Sequence, residues 1–170
     1  MDLAAAIDRF AANAAAIQSL IAGVDARHAS WKPSPDAWSI LEVVNHLADE
    51  EREDFRTRFD LTLHHPETDW PPIDPRRWVT QRNYAARDLT ESLTRFLDER
   101  AASLAWLRGL KDPNLDSAHR HPVFGSRSAG ELLASWLAHD LLHLRQLVEL
   151  HYLYHREQVA PIPLEYAGEW

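Results

Sequence analysis

Apolar side chains recur at intervals of three and four along most of this chain, and period-two alternation is missing throughout, so the pattern predicts helices and no strands. The first helix covers residues 2–24. It carries Ile7, Phe10, Ala14, Ile17 and Ile21 on one face and stops near Gly23, ahead of a loop holding Pro33 and Pro35. Ser39 with Glu42 three residues on forms a capping box that opens the second helix, which continues through Ile40, Val44, Ala48, Phe55 and Phe59 and fades near His64. Asp88 with Glu91 repeats the signature ahead of a third helix through Leu93, Phe96, Leu97, Leu104 and Leu107 to Gly109. Ser128 with Glu131 does so again, and the fourth helix runs through Leu132, Trp136, Leu144, Leu147 and Leu150 to about Tyr154.

Between the second and third helices, residues 65–87 contain Pro66, Pro71, Pro72 and Pro75 and read as a long connection with a short turn around Trp78. Connections of that length are uncommon inside compact domains, and a crossover from one end of a bundle to the other accounts for it. The tail, residues 156–170, is expected to be irregular at Pro161 and Pro163. Its aromatic residues Tyr166 and Trp170 offer groups that could dock on the bundle or on a second subunit. The expected fold is all-α: a four-helix bundle with a long crossover loop between helices 2 and 3, one domain over residues 1–170. That architecture hosts many functions and names none.

Composition narrows the chemistry. A chain of 170 residues, 45% of them hydrophobic, is long enough to bury a sizeable core. The formal net charge of -8 argues against a nucleic-acid or anionic-membrane surface, which needs clustered Lys and Arg. Arg76, Arg77, Arg82 and Arg87 form the one local basic concentration and read as a solvated loop. Cysteine is absent, which removes disulfides, thiolate ligands and a cysteine nucleophile and leaves histidine and carboxylate for metal binding. The N-terminal stretch is Ala-rich but broken by Asp2, Asp8 and Arg9, without a basic leader region or a bilayer-length apolar run. A cytoplasmic protein is the expectation.

The run HDLLH places His139 and His143 one helical turn apart, about 40° from each other around the helix axis and close enough to grip one ion. A zinc-type catalytic centre takes three protein ligands and leaves a position for water, so a third donor is needed, and His46 is the candidate. Ten histidines are present, and such a pair can also arise by chance or sit at a core margin satisfied by carbonyls. His151 and His155 repeat the spacing but are turned about 120° from the first pair, and HExxH is absent.

Helical projection puts His46 opposite the apolar line of Val44, Ala48 and Phe55, on the side of Ser39, Glu42, Glu50 and Glu53. Periodicity therefore assigns it to the surface, with the acidic wall of a metal pocket as the alternative. Asp140 falls inside the fourth helix's apolar stripe and needs a partner there. It either orients a metal-bound imidazole or pairs with an arginine from another helix. Glu50, one turn beyond His46, is a candidate general base, with an exposed helix glutamate as the alternative.

The stretches WKPSPDAWSILEVVNHLADEE, residues 31–51, and HPVFGSRSAGELLASWLAHDLLHLRQL, residues 121–147, resemble the two signature regions of the DinB/YfiT-like family of metal-dependent enzymes. In that family a tryptophan and a serine precede a second helix bearing one ligand histidine, and the last helix bears an H-x-x-x-H pair. The matching positions are Trp38, Ser39, His46, His139 and His143. The resemblance implies a bundle with a three-histidine site for a divalent metal (zinc, nickel or iron) and often a homodimer. It leaves residues 65–87 and the tail unsupported, and it transfers no substrate.

Some relatives transfer or isomerise small-molecule substrates with a low-molecular-weight thiol such as bacillithiol, mycothiol or glutathione. A thiol-dependent transferase is accordingly the leading expectation, because a metal with an open position can supply the thiolate that a cysteine-free chain lacks. Hydrolysis by an activated water is the rival. A non-catalytic protein holding a metal or small ligand, its site closed by a fourth ligand such as Glu50, is a third possibility. A dimeric interaction protein is the fourth.

Overall fold

The structure, a computed structural model, describes residues 2–169. Helix α1 (Leu3–Ile21) is capped by the Asp2 carboxylate and followed by a short α2 (Ala26–Ser30). The second long helix begins as α3 (Ile40–Asp49), passes through a π-helical stretch (Glu50–Arg56) and ends as α4 (Thr57–His64). The crossover contains α5 (Pro75–Gln81) and a 3-10 turn (Tyr84–Ala86). It leads to α6 (Leu89–Gly109), a hairpin of β1 (Ala118–His121) and β2 (Gly125–Ser128), and finally α7 (Ala129–Val159). Two of the three predicted capping boxes form, at Ser39 with Glu42 and at Ser128 with Glu131; at the third the Asp88 carboxylate accepts from the Glu91 N–H and caps α6, without a return bond from Glu91.

Side-chain partners give the helix directions. Asn45 meets Ser92, Glu51 meets Arg100, and Phe59 meets Trp106, so the second and third long helices run parallel at a constant offset. Asn13 meets Asp140 and Leu20 meets His151, so the first and last also run parallel. Parallel neighbours require the chain to return along the bundle between them, which is the work of residues 65–88. The expected crossover is therefore present.

Three expectations are corrected. The fold is not helix alone: Ala118 pairs with Ser128 and His121 with Gly125 in a two-stranded antiparallel hairpin. Its strands read AHRH and GSRS, too short and too polar to show a period. The hairpin is anchored by Trp70 against the His119 ring at 4.7 Å and by His119 Nδ1 donating to the Pro66 carbonyl at 2.8 Å. The tail is regular for longer than expected, since no proline occurs before Pro161 and α7 runs on to Val159. There Trp31 Nε1 donates to Glu157 at 3.0 Å and His28 stacks on Tyr154 at 3.9 Å. Tyr166 is fully exposed, and Trp170 lies outside the described residues.

The arginines of the crossover are not all solvated either. Arg76 and Arg77 are exposed. Arg82 pairs with Asp49 at 2.6 Å and Glu53 at 2.7 Å while lying over the Trp78 ring, and Arg87 donates to Asn45 Oδ1 at 2.8 Å. Asp49 also accepts from Arg95 at 2.5 Å and from the Tyr84 hydroxyl. The bonds of Arg82, Tyr84 and Arg87 fasten the crossover onto the second long helix, where Trp78, Val79 and Tyr84 form a small core against Trp38.

Two apolar cores fill the bundle. One holds Ile17, Val43, Leu47, Phe96 and Leu147, and the other Phe10, Phe59, Leu107, Leu133 and Trp136. Arg100, 2% exposed, joins the four long helices by donating all five N–H groups: to both Glu51 oxygens at 2.8 and 2.9 Å, to both Asp140 oxygens at 2.7 and 2.8 Å, and to the Phe10 carbonyl at 3.1 Å. Trp136 Nε1 adds a bond to Glu51 and Asn13 one to Asp140.

Removing one member of such a set strands the others, which costs about 3–5 kcal/mol. Arg100→Met should therefore lose about that much stability in urea denaturation. A loss below about 1 kcal/mol would show that the two carboxylates find other partners.

Candidate metal centre

Helix α3 delivers His46 and α7 delivers His139 and His143. The three Nε2 atoms form a near-equilateral triangle: His46 to His139 3.2 Å, His46 to His143 3.1 Å, and His139 to His143 3.1 Å. Among the described residues this is the group of histidine and carboxylate donors whose ligand atoms all lie within 4.8 Å of one another. Each Nε2 carries either one proton or one lone pair, so three nitrogens in mutual contact cannot all be satisfied by hydrogen bonds to each other. A divalent cation at about 2.0–2.1 Å from each nitrogen satisfies all three lone pairs at once. The donor set fits a metal.

Position 46 is where periodicity and structure disagree. His46 is buried, at 5% exposure, although it projects away from the main apolar line. The reason is that α3 has no solvent side: every residue from Ile40 to Asp49 is buried, because α6, α7, α2 and the crossover cover it all round. On a helix covered on all sides, the polar face becomes an interior face.

Each ring is held by a different device. His143 Nδ1 donates to Gln146 Oε1 at 2.8 Å, which fixes the tautomer and turns the Nε2 lone pair toward the triangle. The His46 ring packs against Trp38 with centroids 4.8 Å apart, and its buried Nδ1 has no partner. The His139 ring packs against Phe55 at 5.0 Å.

Electrostatics keep the imidazoles neutral, as ligation requires. Burial, with the neighbouring rings of His143 and His139, pushes His46 down to about 2. Burial, His143 and Arg100 push His139 down to about 3. His143 is also lowered, burial outweighing the Gln146 bond and the Asp140 charge.

The two carboxylates singled out in the sequence take different places. Asp140 is buried with both oxygens committed to Arg100 and Asn13. It is the arginine partner of the two alternatives, and its negative charge lies near enough to His143 to raise that ring's proton affinity. Glu50 is not an exposed helix glutamate: it is 4% exposed, and its Oε1 is without a partner. Burial and the adjacent Asp54 push its carboxyl well above the usual carboxylate range. It does not join the histidine cluster.

The parts that Gln146, Glu51 and Arg100 play around the site, and the contact of the core residue Phe55 with His139, are not evident from the sequence. Gln146 was findable, lying at i+3 from His143.

The bundle and its cluster of three histidines define a class of helical protein, and the chain belongs to the DinB superfamily, whose sequence profile matches residues 9–147. It is 28% identical over 115 residues to the putative metal-dependent hydrolase OB0782 of Oceanobacillus iheyensis, an alignment covering 66% of this chain and 64% of that protein. The chain thus spans under two thirds of that relative. Its fold is similar to that of YfiT from Bacillus subtilis, described as a probable metal-dependent hydrolase with an unusual four-helix bundle topology. The TM-score is 0.77 at 21% identity, over 87% of this chain and 85% of that one. No helix among the described residues is long and apolar enough to cross a membrane.

Changing any one of His46, His139 or His143 to alanine should abolish stoichiometric metal retention, measured by elemental analysis of purified protein. Gln146→Leu should weaken metal affinity by about 10–100-fold. Unchanged metal content in all three alanine variants would remove the triad.

In chelator-treated protein, unfolded His46 and His139 take up protons near 6.5 while the folded rings stay neutral to about 2 and 3. The unfolded state then binds more protons, and stability is lost as pH falls below 6.5. His46→Leu should flatten that loss by up to about 1.4 kcal/mol per pH unit in urea denaturation.

Proposed function

We propose that this chain is a divalent-metal-dependent enzyme, a hydrolase in the first instance, built on His46, His139 and His143. The triangle of Nε2 atoms at 3.1–3.2 Å carries the proposal. Three protein ligands with no carboxylate completing the set leave room for a reacting group, as in catalytic rather than structural sites. The printed names of the Oceanobacillus iheyensis and Bacillus subtilis proteins favour hydrolysis.

When bound, the ion supplies Lewis acidity to a nucleophile, either water or the thiol of a co-substrate. The protein's own groups do the rest. Gln146 and Trp38 hold two of the rings in place, and Phe55 shields the third. Glu50, buried one turn beyond His46 with its carboxyl raised by burial and by Asp54, serves as the general acid-base group of the proposal. Zinc, nickel and iron all suit three imidazoles.

The test is turnover by metal-loaded protein on a panel of activated esters, amides and alkyl electrophiles, with and without added thiol. Hydrolysis without thiol, lost in the His46→Ala protein and reduced about 100-fold in kcat by Glu50→Gln at unchanged metal content, is expected. Turnover only with thiol present would instead assign the transferase reaction to the same centre. Equal rates from loaded and chelated protein would refute metal-dependent catalysis.

A further inference from the structure

Beside the histidine triangle lies a cavity of about 670 Å³, a size that accepts a small organic molecule. Two of its lining residues also touch the triangle: Trp38 packs on the His46 ring, and Gln146 accepts the His143 Nδ1 proton. On α7 the triangle and the cavity share one strip, since His139, His143, Gln146, Leu150 and Leu153 recur at helical spacing. The cavity therefore abuts the histidine cluster through Trp38 and Gln146, the side chains that lie between it and the His46 and His143 rings.

Its lining is of two kinds. Trp38, Leu150 and Leu153 offer apolar surface. Asp36 from the loop before α3, Arg76 from α5 and Glu149 from α7 offer charge. Asp36, Arg76 and Glu149 take part in no ion pair or side-chain hydrogen bond among the described residues, and all three are exposed. Charges of both signs left unpaired around one apolar cavity, and supplied by three separate elements, complement a ligand that itself bears both signs.

We infer that this cavity binds the substrate of the neighbouring centre, and that the substrate is an amphipathic zwitterion. Its ammonium group faces Asp36 and Glu149, its carboxylate faces Arg76, and its apolar body lies on Trp38, Leu150 and Leu153. The assignment rests on the reading of the histidine triangle as the reacting centre, but binding is measured separately from turnover. Trp38 and Gln146 then have a second role as positioning residues, since they hold the ligand rings and line the substrate seat.

The probe is the dipeptide leucyl-phenylalanine, compared with its N-acetylated form and its C-terminal amide, titrated into chelator-treated full-length protein by isothermal calorimetry or ligand-observed NMR. The free dipeptide should bind at least tenfold tighter than either blocked form. Arg76→Ala should erase the discrimination against the amide while keeping that against the acetylated form. Asp36→Asn combined with Glu149→Gln should do the reverse. These side chains are exposed, so the variants should retain the wild-type circular dichroism spectrum.

Equal binding of all three compounds by the wild type, or discrimination that survives both sets of substitutions, would overturn the inference. Because no metal is present, this outcome is independent of whether the triangle is catalytic. Discrimination as expected, with no metal-dependent turnover, would keep the binding site and remove only the enzyme.

Discussion

The buried guanidinium of Arg100 is the interaction on which the arrangement depends. It sits between two apolar cores and bonds to all three of the other long helices, through Phe10 on α1, Glu51 on the second helix and Asp140 on α7. Hydrophobic contact is non-directional and would tolerate these helices sliding along or rotating about their axes. Five fixed donors meeting five acceptors do not, since any slip leaves a buried charge unpaired. His46 lies five residues before Glu51, and His139 and His143 flank Asp140 on either side, so the register that satisfies Arg100 also brings the three imidazoles together. Within this set Asp140 places negative charge beside His143, which suits a cation there.

Most of the fold could be read from periodicity and caps. The four long helices, their starting residues and the crossover all followed from the recurrence of apolar positions, the Ser-x-x-Glu boxes and the length of residues 65–87. The hairpin could not, because β1 and β2 carry almost no apolar side chains and are anchored instead by Trp70 and Pro66, neighbours that no local pattern announces. The π-helical stretch of Glu50–Arg56 is equally silent, its composition being that of an ordinary acidic helix segment.

The site was legible to a different degree at each residue. His139 and His143 are local, set by one helical turn. His46 is misplaced by projection, because a wheel assumes one wet side and α3 has none; it enters as the third donor that an incomplete pair requires, and the resemblance of its surroundings to a family signature supports it there. Asp140 stood out as a charge in an apolar stripe. The same logic extends to partners that were passed over: Glu51 falls seven residues after Val44 and Arg100 four after Phe96, each a charge in line with apolar neighbours. Charges at such positions need one another, and pairing them would have indicated how three helices face each other.

The central claim is that three imidazoles from two helices share one cation. It is tested most directly by anomalous diffraction from crystals of the protein loaded with cobalt or zinc, with data collected above and below the metal edge. A single anomalous peak in the cleft, about 2.0–2.1 Å from the Nε2 atoms of His46, His139 and His143, is the predicted result. No peak at that position, or a peak held by other side chains while these three rings stay together without an ion, would contradict it.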